Sequence, residues 1–140
     1  MAPAVYNIRD PKRPLTAVYI GRRNATYSLP QSIWANPFVI SNTQTRMDVI
    51  NAYTYWLFRN PASPLPRIGE LTGHDVVCYC SPKPCHGHVV IILANQPARL
   101  IQVRDRIQEL VSEDYSRSYI YAYIQKEFFG TIAYGTGDEN

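Results

Sequence analysis

The chain has 140 residues, of which 46% are hydrophobic, and its 14 basic and 11 acidic side chains leave a net charge of +3. This length and apolar content suit one compact domain with a core and exclude two domains of ordinary size. The longest strongly apolar run, VVIIL at residues 89–93, is far shorter than a membrane-spanning helix, and the N-terminus lacks the apolar stretch of a signal peptide. We therefore expect a single domain over residues 1–140, located in the cytoplasm and with no membrane partner.

Positive charge is concentrated in the N-terminal third of the chain. Residues 1–46 carry six basic side chains against a single acid, Asp10, whereas the remainder carries eight basic and ten acidic side chains. A positive field of this kind suits a phosphate-bearing partner, although so few dispersed charges are also typical of a solvated surface.

The first predicted strand is LTAVYIGRR, residues 15–23, a β-branched and aromatic run that delivers Arg22 and Arg23 into a loop. That loop carries the segment WANPF, in which Asn36 is the polar side chain. It is longer than most connections inside compact domains, which indicates a functional or well-packed loop.

The next segments alternate helix and strand. A helix is predicted from Thr45, its N-cap, to Asn60, because Asp48 stands three residues after the cap and apolar residues recur at helical spacing. A proline-rich connector and a short helical turn around RIGEL lead to a second strand, DVVCYC, and then to a helix, HVVIILANQ.

This alternation predicts the α/β class: a single small Rossmann-like domain with a mainly parallel sheet over residues 15–95 and a helical C-terminal extension over residues 97–130. In the extension, ARLIQVRDRIQELV is amphipathic, whereas YSRSYIYAYIQKEFF fits a helix or a strand, and we favour the helix. A helix places Tyr115, Tyr119 and Tyr123 in one stripe, which is typical of a core or a dimer surface. We expect residues 131–140 to be disordered.

The segment CYCSPKPCHGH, residues 78–88, contains all three cysteines and two of the three histidines. Alternation along a strand turns Cys78 and Cys80 to the same side, so that their thiols are neighbours. The prolines then form a turn that places Cys85 and His86 at the start of the following helix, beside its unpaired N–H groups.

Three functional interpretations of this cluster stay open. In the first, the helix N-terminus and His86 lower the pKa of Cys85, which becomes a nucleophile or a redox-sensitive thiol. In the second, the N–H groups of the turn bind a phosphate or a carboxylate. In the third, Cys78, Cys80 and Cys85 bind zinc with His86 or His88 as the fourth ligand. The alternative to all three is a structural role for Cys78 and Cys80, since cysteines are typical small buried residues. His74 lies outside this cluster and is most simply a surface turn residue.

The segments VYIGRR, WANPF and GELTGHDVVCYCSPKPCHGHVVIILAN, within residues 15–95, resemble the uncharacterised family named domain of unknown function 4326. The family pattern is an N-P-F element followed by C-W-C-x-P-x-x-C-H-G, and the matching positions are Asn36, Pro37, Phe38, Cys78, Cys80, Pro82, Cys85, His86 and Gly87.

Two positions depart from this pattern. Tyr79 replaces the usual tryptophan, and His88 replaces a common acidic residue, which argues against His88 as an essential metal ligand. A fainter similarity links the cysteine region to domain of unknown function 488, which looks Rossmann-like. The resemblance implies a bacterial or phage source, and therefore the host cytoplasm if the protein is viral, but neither family implies an activity.

Together these observations predict a nucleotide or nucleotide-derived phosphate ligand, with Arg22, Arg23, Asn36, Cys80 and Gly87 as the binding residues. If there is turnover, by a hydrolase or a transferase, we expect Cys85 and His86 to be the catalytic residues. The alternative is a zinc-binding structural or interaction module that uses Cys78, Cys80, Cys85 and His86, with a tyrosine-rich C-terminal contact surface for a homo-oligomer. Binding to nucleic acid is not favoured, because no docking motif is visible.

Overall fold

The computed structural model describes residues 2–130, and its centre is a small parallel sheet. The strands are β1 (Val5–Asn7), β2 (Val18–Tyr19) and β3 (Val76–Cys78), in the order β1-β3-β2. Val76 of β3 lies opposite Val5 on one side and Val18 on the other, and both pairings are parallel. This mixture of helices and a parallel sheet agrees with the predicted α/β class.

The extents of the strands differ from the prediction. The predicted strand over residues 15–23 is regular only at Val18–Tyr19, although the N–H of Ile20 still donates to the carbonyl of Val77 at 3.0 Å. β1 was not predicted at all, because three residues without a clear alternation carry no strand signal. These residues form a strand because the central strand β3 offers its backbone groups on both edges.

The helices confirm most of the sequence pattern. The helix α1 (Arg46–Arg59) begins with the predicted capping box, in which the Thr45 hydroxyl accepts from Asp48 N at 3.1 Å and Thr45 N donates to the Asp48 carboxylate at 2.9 Å. The helix ends at Asn60 as predicted. The remaining helical segments are a 3-10 helix (Leu65–Leu71), α2 (His86–Asn95), α3 (Pro97–Ser112), α4 (Arg117–Ile124) and a π-helical turn (Gln125–Phe129).

The ambiguous C-terminal segment is helical, as favoured above. The Tyr115 and Tyr119 rings stack with their centroids 4.6 Å apart, and both side chains are about half exposed. The stripe is therefore largely a surface feature rather than core. The tail that we expect to be disordered, residues 131–140, lies outside the described residues.

The helix α2 lies at the centre of the packing. It contacts β1 and β3 on one side and the 3-10 helix, α1 and α3 on its other sides, while α4 packs against α1 and α3. Val89, Val90 and Leu93 are fully buried in it, whereas Ile92 is only partly buried. Within residues 2–130, no helix is long and apolar enough to cross a membrane.

Candidate functional site

A cavity of about 280 Å3 opens where β2 and β3 end. Four segments of the chain line it: the end of β2, the loop that carries WANPF, the first turns of α1 and the cysteine turn. The two strand ends meet there because parallel strands place their carboxyl ends at the same edge of a sheet.

Among residues 2–130, three arginines line the cavity, and no Asp or Glu does. Arg22 is held by the loop, since its Nε and Nη2 donate to the carbonyl of Asn36 at 3.1 and 2.8 Å and Nη2 also donates to the carbonyl of Phe38 at 2.7 Å. Arg23 has an exposed side chain. Among residues 2–130, the salt bridges involve other arginines, so no carboxylate neutralises these guanidinium groups.

The third of these arginines, Arg46, is the first residue of α1. Its Nη1 donates to the carbonyl of Pro84 in the cysteine turn at 3.2 Å. Its Nε is buried and has no hydrogen-bond partner within the described part of the chain. A buried N–H without an acceptor is unusual in folded proteins.

Asn36 is buried and holds the loop in place. Its Nδ2 donates to the carbonyl of Val49 at 3.1 Å, and its Oδ1 accepts from the N–H of Phe38 at 2.9 Å. Both ends of the amide are therefore engaged with the backbone, while the Asn36 carbonyl fixes Arg22. This residue shapes the cavity wall.

The three thiols meet at one corner of the cavity. Cys78 Sγ lies 3.3 Å from Cys85 Sγ, and Cys80 N donates to Cys78 Sγ at 3.4 Å. A turn brings them together, since Lys83 N donates to the carbonyl of Cys80 at 2.8 Å. Cys85 is the N-cap of α2 and accepts from Gly87 N at 3.3 Å. Cys78 and Cys85 are buried, whereas Cys80 is only partly buried.

The environments of the thiols differ. Hydrogen bonds from Cys78 and Cys85 lower the pKa of Cys80, and a hydrogen bond with the Arg46 side chain and its positive charge lower it further. The hydrogen bond to Cys80 raises the pKa of Cys78 to about 11. For Cys85, hydrogen bonds with Cys78 and Cys80 and then burial raise the pKa well above its usual value. The predicted lowering of the Cys85 pKa is therefore wrong, because its hydrogen bonds with Cys78 and Cys80 and its burial favour the protonated thiol.

His86 is buried against Tyr53, with an edge-to-face contact at 4.9 Å between ring centroids. Its Nε2 lies 2.8 Å from the carbonyl of Ile20. A carbonyl only accepts, so Nε2 carries the hydrogen and Nδ1 carries the lone pair. Burial lowers the pKa of His86, which keeps the ring neutral near pH 7.

A family model described as domain of unknown function (DUF4326) matches residues 6–96. The chain belongs to the DUF4326 family. No curated protein and no solved structure matches the chain. The matched stretch of the DUF4326 domain contains every segment that lines the cavity, whereas α3 and α4 lie beyond it.

Most of the residues predicted for the site come together in the DUF4326 domain. The predicted residues that line the cavity are Arg22, Arg23, Asn36, Cys80, Cys85 and His86. Gly87 does not line it; a Cβ at this position would lie 3.0 Å from Ile20 Cδ1 and 3.2 Å from Val5 Cγ1, so the glycine serves close packing of α2 on the sheet. The binding and catalytic roles of these residues stay predictions.

Sequence reasoning missed Arg46 as a site residue of the DUF4326 domain. Arg46 was counted in the basic N-terminal third but was not assigned to the cavity. The available signal was its place directly after the predicted N-cap, since the first turn of a helix often faces a ligand. What places it at the cavity is the contact with the cysteine turn, which is 38 residues away in sequence.

The zinc alternative is not supported by the geometry of this DUF4326 domain. Within residues 2–130, no group of three or more Cys, His, Asp or Glu side chains is arranged to hold a metal ion. His86 directs Nε2 to the carbonyl of Ile20, and His88 Nδ1 lies 3.2 Å from the backbone of Cys85 in the cap of α2. The described residues therefore do not supply the four-ligand set that the zinc prediction requires.

The buried histidines of the DUF4326 domain predict a loss of stability at low pH. Burial lowers the pKa of His86 and of His88 in the folded state. Below about pH 6.5 the unfolded chain binds protons that the folded chain does not, so the free energy of unfolding falls as pH falls, by at most about 1.4 kcal/mol per pH unit for each histidine.

Urea unfolding at pH 7.5 and at pH 5.5 checks this expectation. His86→Gln should reduce the difference between the two pH values, and the matched change at the exposed His74, His74→Gln, should leave it intact. Equal pH dependence in the wild type and in His86→Gln would contradict the prediction.

Proposed function

We propose that the cavity binds a small phosphate-bearing ligand of the nucleotide class. The observation that carries the proposal is the buried Nε of Arg46, which has no partner in the described part of the chain. The cavity wall that holds it has two further arginines and, among residues 2–130, no carboxylate. A phosphate oxygen would satisfy this N–H, and guanidinium groups suit phosphate because they present several donors in one plane.

The rest of the cavity suits the remainder of a nucleotide. Its volume is close to the lower end of the range for small-molecule sites, about 300 to 1,000 Å3. Tyr19, Tyr79, Phe38, Val39 and Ile40 contribute aromatic and apolar surface to the walls, which a base or a sugar can contact. The position at the carboxyl ends of parallel strands is the usual ligand position in Rossmann-like sheets, and we include that arrangement in the proposal.

For turnover, we propose a hydrolase or a transferase. His86 fits the role of proton acceptor, because it lines the cavity and its Nδ1 carries a lone pair. Cys85, the nucleophile that the sequence predicts, is buried and caps α2 through its sulfur. Cys80 is the more accessible thiol at the same cavity.

The first test is native mass spectrometry with elemental analysis of protein purified without a chelator. Titration calorimetry then compares a nucleoside monophosphate with the same nucleoside and with inorganic phosphate at two salt concentrations. We expect binding of the monophosphate, weaker binding of the nucleoside, and an affinity that falls with added salt. Equal binding of the nucleoside and of its monophosphate would overturn the proposal. One zinc per chain, lost in Cys→Ser variants, would instead support the zinc-binding module.

A further inference from the structure

An exposed pair of tyrosines lies at the rim of the cavity. Tyr79 follows β3 and lines the cavity, and its ring meets the ring of Tyr27 edge to face, with 6.2 Å between the two centroids. Tyr27 lies outside the cavity lining and is 38% exposed, while Tyr79 is 41% exposed. The pair therefore extends the aromatic wall of the cavity outward onto the protein surface.

Hydrogen bonds to the backbone hold both tyrosine segments in place. Tyr27 lies in a loop that Asn24 and Leu29 close, because the backbone groups of these two residues bond each other at 2.8 and 2.9 Å. Asn7, the last residue of β1, donates from Nδ2 to the carbonyl of Tyr79 at 3.0 Å. A surface that is ordered in advance costs a ligand less conformational entropy than a mobile one.

The surroundings of the pair are positively charged. The guanidinium carbon of Arg9 lies 5.9 Å from the centroid of the Tyr79 ring, and Arg23 is an exposed residue of the cavity lining. Among residues 2–130, neither arginine takes part in a salt bridge. Exposed aromatic rings beside such cations suit single-stranded nucleic acid, because bases stack on the rings and the cations attract the phosphates.

We infer that the nucleotide in the cavity is the end of a single strand of nucleic acid, and that the next base of the strand stacks on Tyr27 beside Tyr79. The inference rests on the function proposed above and specifies its ligand. At about 280 Å3 the cavity is small even for a small-molecule site, so a second nucleotide has to lie outside it. No docking motif predicts this surface, because Arg9, Tyr27 and Tyr79 come from three separate segments of the chain.

The test compares two ligands with identical ends. One is a trimer of deoxyadenosine with a phosphate at each end, and the other is deoxyadenosine 3′,5′-bisphosphate, which has the same terminal phosphates on one nucleotide. Titration calorimetry at two salt concentrations measures both affinities. We expect the trimer to bind about fivefold or more tightly, because a second base stacks, and to lose affinity more steeply with salt, because it has more phosphates. The ribose versions are measured in parallel, and the tighter trimer identifies the strand as DNA or RNA.

Substitutions at Tyr27 separate the outer contact from the cavity. Tyr27→Leu should weaken binding of the trimer by about fivefold or more and leave binding of the bisphosphate unchanged, since Tyr27 lies outside the cavity lining. Tyr27→Phe keeps the ring and should retain the wild-type affinity for the trimer. Tyr115→Leu is the matched control, because Tyr115 is a similarly exposed tyrosine in the C-terminal stripe. Thermal unfolding checks that all three variants are folded.

The outcomes separate this inference from the proposed function. If the bisphosphate binds and neither trimer binds more tightly, the nucleotide site stands and the strand is excluded. If Tyr27→Leu leaves the affinity for the trimer unchanged or weakens both ligands equally, the second base does not stack on Tyr27 and the inference is overturned. An equal loss in Tyr115→Leu overturns it as well. If no ligand binds, the proposed function fails together with the inference.

Discussion

Replacement of Arg46 by methionine is expected to weaken binding of a nucleoside monophosphate by about 10- to 100-fold. The change removes the unpaired Nε and the positive charge at the cavity while it keeps an unbranched side chain on the first turn of α1. Hydrogen bonds to a charged group contribute about 1.5 to 3 kcal/mol each, and a loss of 1.4 kcal/mol corresponds to a tenfold weaker affinity. Titration calorimetry measures the effect directly.

Arg59→Met is the matched control for this prediction. Arg59 is an exposed residue in the last turn of the same helix and does not line the cavity, so the substitution removes the same charge at a distance. Thermal unfolding of both variants separates a binding effect from the loss of the Arg46 bond to Pro84. If Arg59→Met weakened binding as much as Arg46→Met, the loss of positive charge in general, rather than a phosphate contact of Arg46, would explain the result.

Replacement of Asn36 by alanine is expected to lower the free energy of unfolding by about 1 to 3 kcal/mol, the cost of leaving a buried polar group without its partner. The affected groups are the N–H of Phe38 and, to a smaller extent, the carbonyl of Val49. The loss at the Val49 carbonyl is smaller because this group keeps its backbone hydrogen bond within α1. Urea denaturation gives the change in stability.

The same substitution should also weaken ligand binding, because the Asn36 and Phe38 carbonyls that hold Arg22 belong to the loop that Asn36 orders. Asn24→Ala is the control: Asn24 lies in the same cavity wall, but within residues 2–130 its side chain makes a single long, exposed hydrogen bond, from Tyr27 N at 3.4 Å. We expect Asn24→Ala to change stability by less than about 0.5 kcal/mol. If Asn24→Ala lowered the free energy of unfolding as much as Asn36→Ala, any substitution in the loop would destabilise the protein, and the Asn36 amide would have no special role.

Local signals in the sequence were sufficient for the helices. The Thr45 and Asp48 pair marked the start of α1, and Asn60 marked its end, because capping involves backbone groups only three or four residues away. The same reasoning placed Cys85 and His86 at the start of α2. The strands were predicted less well, since a strand is stabilised by a partner that is distant in sequence, as β1 is by β3.

For the candidate site, the sequence predicted residues but not their environments. Arg22, Arg23 and Asn36 were chosen for their chemistry, and the structure adds that Asn36 is occupied by the backbone. The pKa of Cys85 was predicted from the helix N-terminus and His86. The neighbouring thiols reverse that prediction, because hydrogen bonds with Cys78 and Cys80, together with burial, favour the protonated form of Cys85.

The sequence by itself determined the α/β class and the order of the helices. It also determined the family, through the motif of the cysteine turn. Each of these depends on short-range patterns. Only the tertiary structure decided that Arg46 reaches the cysteine turn, that Gly87 faces the sheet rather than the cavity, and that Cys80 is the thiol with a lowered pKa. These depend on distances between segments far apart in the chain, and burial and charge act through those distances.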